Sequence, residues 1–158
     1  MLIVGIIATV TLDLWQQIFH LAFGVPTTNW GMIARWMGHM PEGQFTQRDI
    51  GKTSPVPYEG PLGWVIHYVV AVSLAVVYLL LMRFVFDAPP NFVSAMLYAV
   101  ATVCITWFVI EPALGLGVMA SKAPNRASVL TLDFTTHLSY GVGIYLGILA
   151  ASAISMLR

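Results

Sequence analysis

Charge is scarce in this chain. Lys, Arg, Asp and Glu together make up 9% of its 158 residues, against roughly 25% in an ordinary soluble domain. A water-soluble fold could not cover its surface with so few charges, so soluble classes are excluded first. The charge that is present balances, seven Lys and Arg against seven Asp and Glu. No basic block offers a surface to nucleic acid. The single cysteine, Cys104, excludes an internal disulfide and any paired-cysteine metal or redox motif. It lies in an apolar run and reads as a small core residue. No HExxH or GxSxG signature is present, and no GK[ST] follows Gly115 and Gly117, so metalloprotease, serine-hydrolase and phosphate-loop chemistry have no support.

What the chain has instead is apolar length. Hydrophobic residues make up 58% of it, and they gather in runs near the ~20 residues that a membrane span needs. The expected spans are about 2–23, 62–84, 92–111 and 128–157. The fold class read from this is an all-α integral membrane protein, a single domain over 1–158 built as a four-transmembrane-helix bundle. The first run lacks a basic leader and a small-x-small cleavage site, and it carries Asp13 and His20. It therefore reads as a retained span rather than a signal peptide.

The longest connection is the loop 24–61. Within it, Asn29 to Met40 reads as a short helix capped by Thr28 or Asn29. Its apolar stripe of Met32, Ile33, Trp36 and Met37, with Trp30 beside it, suits either an interfacial helix or a lid over the bundle. From Pro41 to Pro61 the chain is rich in Pro, Gly and charge and reads as an extended loop. Asp87 to Asn91 makes a tight connection, and Pro112 is expected to break span three before the loop 112–127. Arg35, Arg48, Lys52, Lys122 and Arg126 fall on one side, against Arg83, Arg158 and the N-terminal amine on the other. The positive-inside rule then places loops one and three in the cytoplasm and both termini outside. Gly143, Gly147 and Ala151 form a small-residue row at a four-residue spacing. It serves either packing inside the bundle or a homodimer face.

The polar residues inside the spans are few and unevenly placed. Asp13, Gln16, Gln17 and His20 fall at i, i+3, i+4 and i+7 of span one, so they share one face. Span four repeats that spacing with Asp133, Thr136, His137 and Tyr140, and span two offers His67 and Tyr68. Counted by helix rise from the side bearing loops one and three, His20 lies about one turn in. Gln17, His67 and Asp133 lie roughly one to two turns in, and Asp13 and His137 about two to three. Glu111 marks the end of span three on that side, and His39 sits in the loop helix. Ionisable groups at membrane depth are costly and normally face a protein interior or a water-filled cavity. The three polar faces are therefore expected to converge on one pocket.

Several segments together resemble a known family. They are Ala8 to Trp15, Arg35 to Met40, Gly63 to Tyr68, Glu111 to Gly117, Ala120 to Asn125 and Asp133 to Tyr145. The resemblance is to small bacterial inner-membrane proteins of a domain of unknown function, and it covers essentially the whole chain. It implies a four-span protein of the bacterial inner membrane and implies no activity, so no role is carried over from it.

Three functions fit such a pocket. A divalent metal or one b-type haem is the first, with His67, His137 and Asp133 as ligands and His20 and Glu111 completing the shell. Asp13, Gln16, Gln17, His39, Tyr68 and Tyr140 would then line the pocket or relay protons. A proton-coupled transporter or channel acting as a homo-oligomer is the second. A structural or assembly protein whose polar cluster only fixes helix packing is the third.

Overall fold

The computed structural model describes residues 1–156 and contains no strand among them. The expected end of span four at Leu157, and the Arg158 charge used in the orientation argument, lie outside the described residues. Helix α1 runs over Leu2–Phe23 and stops at Gly24, whose φ of 67° is the left-handed conformation that glycine adopts without strain. Helix α2 (Trp30–His39) is capped by Asn29, whose side chain accepts from the Gly31 N–H. Helix α3 spans Glu59–Phe84. Helix α4 (Phe92–Ile105) opens on a reciprocal capping box between Asn91 and Ser94. It continues through a π-helical turn (Thr106–Ile110) into α5 (Glu111–Leu114). Helix α6 (Arg126–Met156) closes the chain. Four of these stretches, Leu2–Phe23, Glu59–Phe84, Phe92–Leu114 and Arg126–Met156, are long and apolar enough to cross a membrane.

Two expected boundaries move. The third long helix does not end at Pro112 but runs on to Leu114. In the π turn the Glu111 N–H reaches back to the Thr106 carbonyl, and Pro112 then stands in the first turn of α5. A proline is tolerated there because that N–H has no partner to lose. The second long helix starts at Glu59 rather than Leu62, with Pro61 inside its first turn for the same reason.

Helix α1 lies between α6 and α3, and α6 also packs against α4. The α1–α6 contact is close because glycines make room for it. A methyl on Gly143 would meet the Ala8 backbone, and one on Gly147 the Val4 backbone, each at 2.7 Å. Such notches let two helix backbones approach closely. Gly143 and Gly147 of the small-residue row are thus used inside the chain. Helix α3 stands farther from α4 and α6 and reaches them through tyrosines. Tyr98 donates to the Leu74 carbonyl at 2.8 Å, Tyr140 donates to the Ala71 carbonyl, and the Tyr78 hydroxyl meets Ser94 at 2.7 Å. These rings belong to or pack on a core of Val4, Ala8, Ala75, Ala95, Ala99 and Ile144.

The outer surface is apolar, with Leu21, Phe84, Val93 and Leu97 among its exposed side chains. Cys104 is on this surface as well, not in the core. Its helix turns Thr102 and Val103 inward instead.

The segment after α2 is folded, not merely extended. Arg35 donates to Glu59 Oε2 at 2.9 Å and to the Ile50 and Thr53 carbonyls at 3.0 and 3.2 Å. It thereby ties α2, the loop and the start of α3 together. Trp36 donates to the Phe45 carbonyl at 2.8 Å, and the Gln47 N–H to that of Ala113 at 2.7 Å.

Candidate functional site

The polar residues of the long helices do not meet at one point; they form three separate groups. The first joins α1 to α3. Asp13 is the only carboxylate of α1, and its helix turns it toward His67. The His67 Nε2–H donates to Asp13 Oδ1 at 2.9 Å, and Tyr68 donates to Oδ2 at 3.0 Å. Trp30, the first residue of α2, stacks on the His67 ring with centroids 3.8 Å apart and planes 13° from parallel. Gly63 makes this possible. It lies one turn before His67 on the same face of α3, and the Trp30 backbone rests where a side chain would project. Gln16 is buried and accepts from the Thr28 N–H at 2.9 Å, which pins the loop between α1 and α2.

A cavity of about 230 Å³ adjoins this group. Asp13, Gln16, Gln17, Thr27 and Thr28 supply its polar lining, and Trp30, Trp64 and Tyr68 its rings. Val10 and Leu14, both exposed on α1, complete the lining. The Asp13 side chain keeps 20% of its surface exposed, whereas His67 keeps 4%. The carboxylate therefore faces the cavity, and the imidazole supports it from behind.

The second group joins α4 and its π turn to α6. Thr102 donates to the Ala99 carbonyl at 2.7 Å, so its oxygen is left to accept from His137 Nδ1–H at 2.9 Å. His137 Nε2 then accepts from the Thr106 hydroxyl at 3.2 Å. Both ring nitrogens are satisfied by a neutral imidazole in that tautomer.

The third group is the carboxyl pair Glu111 and Asp133, which adjoin with Trp107 beside them. Glu111 Oε2 accepts from the Ala120 N–H at 2.6 Å. Glu111 Oε1, Asp133 Oδ2, Trp107 Nε1 and Thr136 Oγ1 are buried without a hydrogen-bond partner. A proton held between the two carboxyl groups would give both oxygens a partner. The wide π turn orders these contacts, since Thr106, Trp107 and Glu111 all reach α6 from it. Turns of this kind are frequent at functional sites.

The expected single centre is therefore corrected. His67 goes to Asp13, His137 to two threonines and Asp133 to Glu111, each drawn to the nearest helix by a donor or acceptor it needs. Among the described residues no group of three or more His, Cys, Asp or Glu is placed to hold a metal ion. His20 is exposed at the end of α1, with Nδ1 2.9 Å from the Val25 carbonyl, so it stands apart from Asp13, Gln16 and Gln17, which line the cavity. Tyr140 spends its hydroxyl on the α3 backbone. His39 belongs to the loop, with Nε2 2.9 Å from the Ser54 carbonyl and Nδ1 3.3 Å from Glu42 Oε2. Those acceptors, Ser54 first, raise its pKa above the usual histidine value.

Sequence reasoning missed Thr102, Thr106 and the roles of Trp30 and Trp64. Two threonines four residues apart in an otherwise apolar run were the available signal for the His137 partners. Trp30 directly after a helix cap was the signal for a ring anchored over the bundle.

Fold and site together define a class: a small helical bundle of four membrane-length helices, with a carboxylate–imidazole pair at a cavity under a short covering helix. Residues 2–151 match the model of the family described as "Protein of unknown function (DUF2938)", and the chain belongs to that family. No curated protein and no solved structure matches it.

Proposed function

We propose that this is a four-span integral membrane protein whose working part is a small-molecule binding site at the Asp13 cavity. The observation that carries this is the setting of Asp13. A carboxylate inside a span costs ~2.5–3.5 kcal/mol on insertion scales. A purely structural carboxylate would be closed in by its partners. Here His67 and Tyr68 each hold one oxygen from one side, while the other side opens on about 230 Å³ of cavity. Each oxygen keeps a further lone pair for a guest. Helix α2 serves as the cover, anchored by the Trp30–His67 stack and the Arg35–Glu59 pair.

A site is favoured over a conduit. The polar groups end near mid-bundle, and beyond them the space is filled by Ala8, Ala75, Ala99, Ile144 and the tyrosine bridges. A divalent metal or haem on His67, His137 and Asp133 would require all three to leave their present partners.

The test uses the protein in lipid nanodiscs and the emission of its tryptophans, two of which line the cavity. A panel of cationic, anionic and neutral solutes of a few carbons is titrated in. At least one solute is expected to give a saturable response that Asp13→Asn weakens tenfold or more. A wild-type protein silent to the whole panel would sink the proposal.

A further inference from the structure

The lining of the Asp13 cavity is chemically one-sided. Asp13 is its one formally charged residue, and no Lys or Arg lines it. Trp30, Trp64 and Tyr68 stand around that carboxylate at differing angles. Trp30 and Trp64 have ring centroids 6.5 Å apart and planes at 62°. Trp64 and Tyr68 are also 6.5 Å apart, at 41°. The rings are therefore separate walls and not one stack.

A carboxylate among aromatic walls selects for one kind of group. Ring faces carry negative quadrupole density and attract a cation, most strongly when water is excluded. Anions would meet the Asp13 charge. A neutral guest would forgo both attractions. An alkylammonium gains from the carboxylate and from the rings together, and its methyl or methylene groups suit the apolar area between them. Quaternary and methylated ammonium ions are bound in aromatic cages for this reason. Val10 and Leu14 of the lining are apolar and exposed on α1, so an alkyl tail can lie along them while the head sits at Asp13.

Resting on the binding-site proposal above, we infer that the cavity binds an alkylammonium group, presented either by a free amine or by a phospholipid headgroup. The probes are choline and its neutral isostere 3,3-dimethyl-1-butanol, titrated against the full chain in nanodiscs of phosphatidylglycerol, which carries no ammonium. Choline is expected to change tryptophan emission saturably, and the neutral isostere to bind at least tenfold more weakly. Asp13→Asn and Trp64→Leu should each weaken choline at least tenfold while the helical circular dichroism and melting stay as in the wild type. Should Asp13→Asn fail to fold, the isostere comparison on the wild type decides alone.

Repeating the titration in phosphatidylethanolamine nanodiscs separates the sources. Loss of the choline response there identifies the lipid headgroup as occupant, and its persistence identifies a free amine. Equal binding of choline and the isostere overturns the ammonium inference while leaving the binding site standing. Silence to both probes, with a response to an anion, also overturns it. Silence to every solute overturns the site as well.

Discussion

Asp13 and Asp133 are both carboxylates of membrane-length helices, yet their neighbours give them different work. Asp13 receives two donors and faces a cavity. Asp133 adjoins another carboxyl group, and Glu111 Oε1 and Asp133 Oδ2 lack any other partner. That pair makes a test of its own. Asparagine at 133 still offers an N–H to Glu111, so Asp133→Asn should hold stability within about 1 kcal/mol. Asp133→Leu strands a buried Glu111 oxygen and should cost ~1–3 kcal/mol, read by denaturant unfolding in micelles. A leucine variant as stable as the wild type would show that the two carboxyl groups do not depend on each other. At this scale the sequence was partly legible. Helix rise placed Asp13 and His67 in the same half of the bundle but about a turn apart, so their pairing could not be read from it. Nor could the azimuth of His137, because its partners Thr102 and Thr106 look like filler in an apolar run and few polar residues mark how that helix is turned.

Among the elements, α2 carries the most testable geometry. It rests on Gly63, and its Trp30 ring covers His67. A methyl at 63 would strike the Trp30 carbonyl and come within 2.7 Å of the Gly31 nitrogen. Gly63→Ala should therefore lift the start of α2 at a cost of ~1–3 kcal/mol, the usual range for overpacking. The expected signs are red-shifted tryptophan emission and faster amide exchange over Trp30–His39, with α1 and α6 unaffected; unchanged emission would refute the contact. The far end of α2 has a pH dependence. His39 has a raised pKa because the Ser54 carbonyl and then Glu42 accept from its ring, against some opposition from Arg35. A raised pKa means that the contact stabilises fully below the unfolded value of 6.5 and is lost as pH climbs through the higher folded value. Amide exchange near Ser54 should quicken above pH 6.5, and His39→Gln should abolish that dependence while leaving the Arg35 ties intact. The helix and its Asn29 cap were readable from the cap-then-stripe pattern. The folding of residues 41–58 was not, since it rests on one arginine reaching two carbonyls that no local pattern announces. The π turn was hidden for a related reason: it is a choice of backbone acceptor, Thr106, that side-chain periodicity does not record.

For the whole molecule, four apolar runs were enough to give the number of membrane-length helices, because length and hydropathy are properties of each run alone. Which helices touch was not given, and here the glycine row decides between two readings of the same residues. Gly143 and Gly147 on α6 face Ala8 and Val4 on α1, with no space for a side chain. Ala151 continues the row as a half-buried residue packed on the core. If the row joins helices of one chain, a bulky residue there must split α1 from α6 and open the bundle. If it joined two chains, the same change would leave a folded monomer. Gly147→Ile is therefore expected to lower stability in micelles by at least ~1–3 kcal/mol, the cost of forcing volume into a packed contact. It should also break the Trp15 donation to Thr135, now 3.0 Å, which bridges the same two helices about three turns farther along. The sedimentation behaviour of the fraction that remains folded should match the wild type. A variant that melts normally but sediments as a smaller species would assign the row to a dimer and free α1 from its place between α3 and α6. The Asp13 cavity would then lose its rigid back wall, since α1 holds Asp13 against His67 only while α6 holds α1.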